Sequence, residues 1–154
     1  MYMPTPYATK PAGNKANAYA RIGLETSVMS ASPHQLVAML LDGAKAAICM
    51  ARYHMTNGDI PAKGLAITKA INIVGHGLKG GLDTTPDDSP AGKMVVTLTA
   101  LYDHIVRCLL NANIRNDPTL LDEAERLIDS RAEVWRKLGS LTQQQGMQSP
   151  SAAI

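Results

Sequence analysis

Ahead of three of its helical patterns this chain sets a capping side chain directly before a proline, at Ser32-Pro33, Ser89-Pro90 and Asp117-Pro118. Proline at the first helical position gives up an amide that would go unpaired anyway, and the Ser or Asp before it accepts from the free amides of the first turn. At Ser32-Pro33-His34-Gln35 the signal is a full capping box, because Gln35 can reach back to the cap amide. Stops are equally legible: Asn57-Gly58 precedes a capping Asp59, and Gly80-Gly81 closes another segment. This punctuation predicts helices over 17–29, 33–57, 61–80, 90–115 and 118–140. Three of the four connections are short, and the Leu82–Ser89 stretch is a loop of moderate length, so successive long helices must run antiparallel. The expected fold class is all-α: an antiparallel four-helix bundle with a shorter N-terminal helix. Residues 1–15, rich in Pro, Thr, Gly and Lys, read as a flexible arm, residues 16–141 as the bundle, and residues 142–154, which lack periodicity, as a disordered tail.

What fills such a bundle is limited by composition. There is no Phe and one Trp, so the core falls to Leu, Ile, Val, Ala and Met. Helical period is clear in each long segment: Leu36, Leu40, Ala44, Ala47, Ala51 and Met55; Ile67, Ala70, Ile71, Val74 and Leu78; Met94, Leu98, Leu101, Tyr102, Ile105 and Leu109; Leu120, Ala124, Leu127, Val134, Trp135 and Leu138. A net charge of +2 without any run of Lys and Arg gives no footprint for nucleic acid or anionic lipid. No apolar run approaches the ~20 residues of a membrane helix, and the N-terminus carries no signal-peptide stretch, so a cytosolic protein without membrane insertion is expected. Cys49 and Cys108 are far apart and read as buried or half-buried free thiols in a reducing compartment.

The 33–57 helix carries more apolar surface than a small bundle needs. Turning about 100° per residue, Met39, Gly43, Ala46, Met50 and Tyr53 form a second stripe beside the core stripe. Together the stripes cover roughly 240°, leaving Asp42, Lys45, Cys49, Arg52 and Thr56 on a narrow polar side. The 90–115 helix is also broad, at roughly 200°. Such surplus is covered in one of three ways: by the N-terminal arm, by a homodimer partner, or by amphipathic helices of a client laid into a groove. Periodicity does not separate them, and a structural homodimerisation module stands as the alternative to a client-binding protein.

Enzymatic readings find little support. Di-iron bundles need Glu-x-x-His pairs, and none of His34, His54, His76 or His104 has a Glu three residues before it. Cys49 and Cys108 have no local base. Gly77, Gly80 and Gly81 follow a helix instead of opening one, which is the wrong order for a phosphate cradle. Asp83, Asp87 and Asp88 lack calcium-loop spacing.

Several segments carry a family resemblance: Asn17-Ala18-Tyr19; Val28 through Leu36 (VMSASPHQL); Met39-Leu40-Leu41-Asp42-Gly43-Ala44; Lys69 through Val74; Leu78-Lys79-Gly80-Gly81-Leu82-Asp83; Leu101-Tyr102-Asp103-His104-Ile105; Leu109 through Asn113; and Trp135. In this order, over about residues 16–138, the chain resembles the FliS flagellar chaperones. The resemblance implies a cytosolic helical bundle that binds the disordered C-terminal region of flagellin, prevents premature polymerisation and brings the client to the type III export gate, where FlhA is the docking partner. It implies no catalytic residue, metal or cofactor. It also implies that the segment around Tyr19 lies over part of the client site. With the two stripes, it gives Tyr19, Met39, Leu40, Gly43, Met50, Ile71, Leu101, Tyr102 and Ile105 as client-contacting residues. Arg131 stands out, since it falls inside the apolar arc of the last helix where an aliphatic residue is expected. A stem at the bundle edge, with its guanidinium in solvent or paired, is the favoured reading for it, with a client contact as the alternative.

Overall fold

A computed structural model of the chain describes residues 24–26, 28–82 and 87–152, without the side chains of 142 and 144–152. It divides into two compact units, Met1–Leu36 and Val37–Ile154. In the first, residues 24–26 and 28–30 are helical, the described end of the helix expected over 17–29. The 1–15 arm and Tyr19 lie outside the described residues. Four long helical segments follow: α1 (Pro33–Thr56), α2 (Ile60–Asn72) continued by a π-helical stretch (Ile73–Lys79), α3 (Pro90–Arg115) and α4 (Pro118–Ala152). No strand occurs among the described residues.

The caps form as their side chains dictate. Ser32 N donates to Gln35 Oε1 at 2.8 Å while Gln35 N donates to Ser32 Oγ at 3.1 Å, which closes the capping box in both directions. Ala62 N donates to Asp59 Oδ1 at 3.1 Å, and Gly92 N to Ser89 Oγ at 3.0 Å. Gly58, at φ 74°, makes the left-handed turn that ends α1. Asn116, at φ 52°, does the same for α3.

Two segments depart from the sequence expectation. The helix expected over 61–80 changes register at Ile73, where the hydrogen bonding widens to a π pattern. Gly75 and Gly77 weaken the α-helix here. A Cβ on Gly77 would fall 2.9 Å from Leu40 Cδ2, so the bare glycine lets the wider segment lie against α1. The last helix runs on to Ala152, well past the expected end at 140. Gln143 to Gln145 are good helix formers. The end at 140 rested on the loss of apolar period, and a helix does not need that period to continue.

Cross-helix partners fix the topology of the second unit. Leu40 meets Gly77, and the Ile73 side chain lies beside Gly43, so α1 runs against α2 and its π extension. Lys45 pairs with Asp129 and Arg52 with Asp122, so α1 runs against α4. Lys63 reaches Asn113 and Lys79 reaches Asp103, so α2 runs against α3. Arg131 reaches Tyr102, and His104 lies near Glu123, so α3 runs against α4. Each helix thus has two antiparallel neighbours, the up-down-up-down bundle expected from the short connections.

The core is centred on Leu41, Ile48, Ile67, Val74, Tyr102, Ile105, Leu109, Leu121 and Ile128, with Ala44, Ala47, Ala51, Ala70, Ala112 and Ala124 between them. Each large aliphatic member contributes on the order of 1.5–3 kcal/mol on burial. The expected stripes are rotated in places. Leu41 and Ile48 are buried beside the expected Ala44, Ala47, Ala51 and Met55 while Leu40 is only partly buried, and Leu121 and Ile128 lie deeper in α4 than the expected Leu120 and Leu127. Met94, Val134 and Leu138 are exposed. For Val134 the reason is angular, since it lies about 120° from Ile128. Cys108 is buried as expected, whereas Cys49 is exposed, because its place on α1 faces the charged edge of α4.

A single charged side chain sits in the described interior. Lys63 is 3% exposed, and its Nζ donates to Asn113 O at 3.1 Å and Asn116 Oδ1 at 3.0 Å. These acceptors lie at the C-terminal end of α3, the negative pole of its dipole, so the ammonium closes that helix from a neighbouring one. Lys63→Ala strands the Asn113 carbonyl and leaves a cavity. It should cost about 2 kcal/mol or more, read as a fall of roughly 4–8 °C in melting temperature by circular dichroism. An unchanged melting temperature would remove the clamp from this account.

Two cap carboxylates make the fold acid-sensitive. The hydroxyl and then the amide of Ser89 hold Asp87 below the usual carboxylate range, and those of Thr119 do the same for Asp117. A carboxylate depressed in the folded state stabilises it above the unfolded pKa, and that contribution is lost as pH falls through the folded value. Melting temperature should therefore hold above about pH 5 and decline below about pH 4. An Asp87→Asn, Asp117→Asn double variant should show a shallower decline.

Candidate functional site

The side chains of α1 serve three neighbours and leave one strip open. Leu41, Ala44, Ala47, Ile48, Ala51 and Met55 are buried in the core. On one flank Lys45 Nζ pairs with Asp129 at 2.8 Å, and Arg52 forks between Asp122 at 2.9 Å and Glu125 at 2.8 Å. Hydrogen bonding to Asp129 and then its charge hold Lys45 above its ordinary pKa, which keeps the ammonium charged in that contact. On the other flank Leu40 and Gly43 lie against Gly77 and Ile73 of the π stretch. With both flanks engaged, α1 cannot roll. The strip left over is Met39, Gly43, Ala46, Met50 and Tyr53.

Exposure rises along this strip. Met39 and Gly43 are half-buried, Ala46 is exposed, and Met50 and Tyr53 are 50% and 60% exposed. Gly43 and Ala46 give little side-chain relief, while Met50 supplies a flexible thioether and Tyr53 an aromatic face. The result is a shallow, adaptable apolar track next to α2, the kind of surface that takes the apolar side chains of an amphipathic helix.

The nine residues singled out from sequence do not all share this face. Met39, Leu40, Gly43 and Met50 do, with Leu40 forming the packed edge. Ile71 is half-buried and lies about 200° around α2 from Ile73, which places it toward α3 instead. Leu101 is half-buried against the core on α3. Tyr102 and Ile105 are 2% and 0% exposed, so in this structure they offer no surface to a partner and support it from beneath. Tyr19 lies outside the described residues. Apolar side chains that the nine leave out include Leu65 on α2 and Leu110 and Ile114 on α3, all exposed. Their places on the outward arcs of their helices were readable as surface.

Nucleophilic chemistry is disfavoured by the site that comes nearest to it. Contrary to the expectation that neither thiol has a local base, Cys108 Sγ lies 3.6 Å from Nε2 of His104, one turn before it on α3, and the same nitrogen is 4.0 Å from Glu123. Burial, then the Glu123 charge, pushes the Cys108 thiol above its ordinary pKa, which keeps it protonated and inert. Among the described residues no three His, Cys, Asp or Glu side chains group as metal ligands.

The family model described as flagellar protein FliS matches residues 15–142. Similar proteins include the flagellar secretion chaperone FliS of Salmonella typhimurium strain LT2, 47% identical over 121 residues, covering 79% of this chain and 87% of that one. The flagellar secretion chaperone FliS of Escherichia coli K12 is 41% identical over 126 residues, 82% of this chain and 90% of that one. The flagellar secretion chaperone FliSB of Pseudomonas aeruginosa PAO1 is 36% identical over 117 residues, 76% and 89% of the two chains. With an all-α bundle, an open apolar strip on its first long helix and a family match over most of its length, the chain belongs to the FliS family, a family of chaperones and not of enzymes.

Proposed function

We propose that this protein is a cytoplasmic export chaperone that binds the C-terminal segment of flagellin, keeps it from polymerising early, and assists its delivery to the flagellar export gate, with FlhA as the docking protein. The observation that carries this reading is the open strip on α1, where Met50 and Tyr53 stand half or more exposed in a chain of the FliS family. A disordered client with amphipathic segments would lay its apolar side chains on that strip and on the outer face of α3. Faces buried there are withheld from polymerisation, so the chaperone acts by occupancy and needs no chemistry. Each fully buried Leu or Ile anchor would contribute about 1.5–3 kcal/mol before the ordering cost of the client is subtracted. Client contact is proposed for Met39, Leu40, Gly43 and Met50 directly and for Ile71 and Leu101 at their half-buried edges. Tyr102 and Ile105 would act by holding α3 in place, and Tyr19, outside the described residues, is proposed as a further client contact. No helix among the described residues is long and apolar enough to cross a membrane, which agrees with a protein that meets its client before export.

Met50→Asp tests the strip. The side chain is exposed in the free protein, so the variant should keep its helical circular dichroism and melt within about 2 °C of the parent. In a calorimetric titration with a flagellin C-terminal peptide it should bind at least about tenfold more weakly, because complex formation would bury an unpaired carboxylate. Unchanged affinity would sink the assignment of this strip.

A further inference from the structure

Arg131 has an environment that a stem at the bundle edge does not need. Its Nε donates to the hydroxyl of Tyr102 at 3.2 Å, and its guanidinium carbon lies 5.1 Å from the centre of the Trp135 ring. Tyr102 is buried, so one edge of the guanidinium is fixed to the core while Trp135, one turn on, holds its face. Arg131 itself is half-buried.

The charge is not answered within the described residues, where no carboxylate lies within ion-pair distance of Arg131. Nearby carboxylates are engaged elsewhere: Asp129 with Lys45 at 2.8 Å, Glu133 with Lys137 at 3.3 Å, Glu123 with Arg126 at 2.7 Å and Asp103 with Lys79 at 2.7 Å. No buried side-chain nitrogen or oxygen among the described residues lacks a hydrogen-bond partner, so the two terminal nitrogens of Arg131 reach solvent. A half-buried cation without a counter-charge is costly at a position where an apolar side chain would pack better. A guanidinium locked through Nε and stacked on an aromatic ring has already lost its rotamer freedom, and its free pair of nitrogens matches the fork of a carboxylate. Val134 and Leu138, three and seven residues on and exposed on the same side of α4, continue the site as apolar contacts.

We infer that Arg131, held by Tyr102 and Trp135, is a subsite for a carboxylate of the client, which would place an acidic group there with apolar side chains following it over Val134 and Leu138. This rests on the client-binding reading above and adds a specific polar anchor to it. Tyr102 then acts as a positioning residue, through Arg131, without touching the client.

The test is calorimetric, with the full chain and a flagellin C-terminal peptide in three forms: unaltered, with its Asp and Glu side chains changed to Asn and Gln, and with its C-terminus amidated. Arg131→Met leaves the buried Tyr102 hydroxyl without its partner and should melt a few degrees lower than the parent, so circular dichroism is read first to show that the variant is folded at the titration temperature. It should bind the unaltered peptide about tenfold to a hundredfold more weakly. Arg131→Lys should recover only part of that loss, as it keeps the charge and not the fork. Whichever peptide change removes the relevant carboxylate should weaken binding to the unaltered protein by a similar factor and cost nothing further in Arg131→Met. That arm also tells a side-chain carboxylate from the chain end. Binding by Arg131→Met within twofold of the parent overturns the subsite, as does a loss below twofold from both peptide changes on the unaltered protein. No binding of the unaltered peptide by the unaltered protein overturns the client reading itself, and the subsite with it.

Discussion

A helix in a four-helix bundle can bury one stripe of its surface and share its two flanks with neighbours. In α1 all three commitments are filled by identifiable contacts. Ala44, Ala47, Ile48 and Ala51 enter the core, Lys45 and Arg52 bind the acidic edge of α4, and Leu40 and Gly43 seat against the π stretch. Because each is specific, the rotation of α1 about its own axis is fixed. Its remaining residues cannot turn inward, and they include Met50 and Tyr53. Apolar exposure on this helix follows from the packing of the other three sides, and the proposed activity of the protein follows from that exposure.

The same logic sets the role of the π stretch. Glycines at 75 and 77 weaken the regular α-helix, and a side chain at 77 would press on Leu40. Gly77 lets the backbone approach α1, and the wider turn keeps Val74 and Leu78 both directed to the core. The seam beside the open strip therefore sets Leu40 against Gly77 and Ile73 against Gly43, a large side chain on a bare glycine each time, which leaves its rim shallow. Shallow, Met-containing rims suit clients that arrive disordered and adopt helical pieces on contact.

Much of this was legible in the chain itself, for local reasons. Helix starts are written in side chains that act within one turn, so Ser32 with Gln35, Asp59 and Ser89 could be read without a fold. The surplus width of α1 was also readable, because Met50 and Tyr53 sit beside the core stripe by angle alone. Angle did not resolve which of two adjacent apolar residues turns inward. Leu41 and Ile48 join Ala44, Ala47, Ala51 and Met55 in the core while Leu40 stays at its edge, and Tyr102 and Ile105, which the stripe of their helix placed inward, are core although the resemblance gave them as client contacts. That choice depends on the depth of neighbouring helices, which no single helix encodes. The change to a π pattern at Ile73 and the Lys63 clamp were hidden for the same reason, since each is defined by a partner more than thirty residues away. Arg131 was visible as an anomaly in an apolar arc, but its anchoring on Tyr102 and Trp135 needed the packed bundle.

Protection of Met50 from oxidation tests the central claim most directly, because it reads the strip in the unmutated protein. With half of Met50 open to solvent and Met55 buried in the core, mild peroxide should convert Met50 well before Met55 when the chain is alone. Residue-resolved mass spectrometry with a saturating flagellin C-terminal segment should then show Met50 conversion slowed severalfold, with Met39 following the same trend. Conversion of Met50 at the same rate with and without bound client would contradict the account, since it would mean that the client binds and leaves the open face of α1 uncovered.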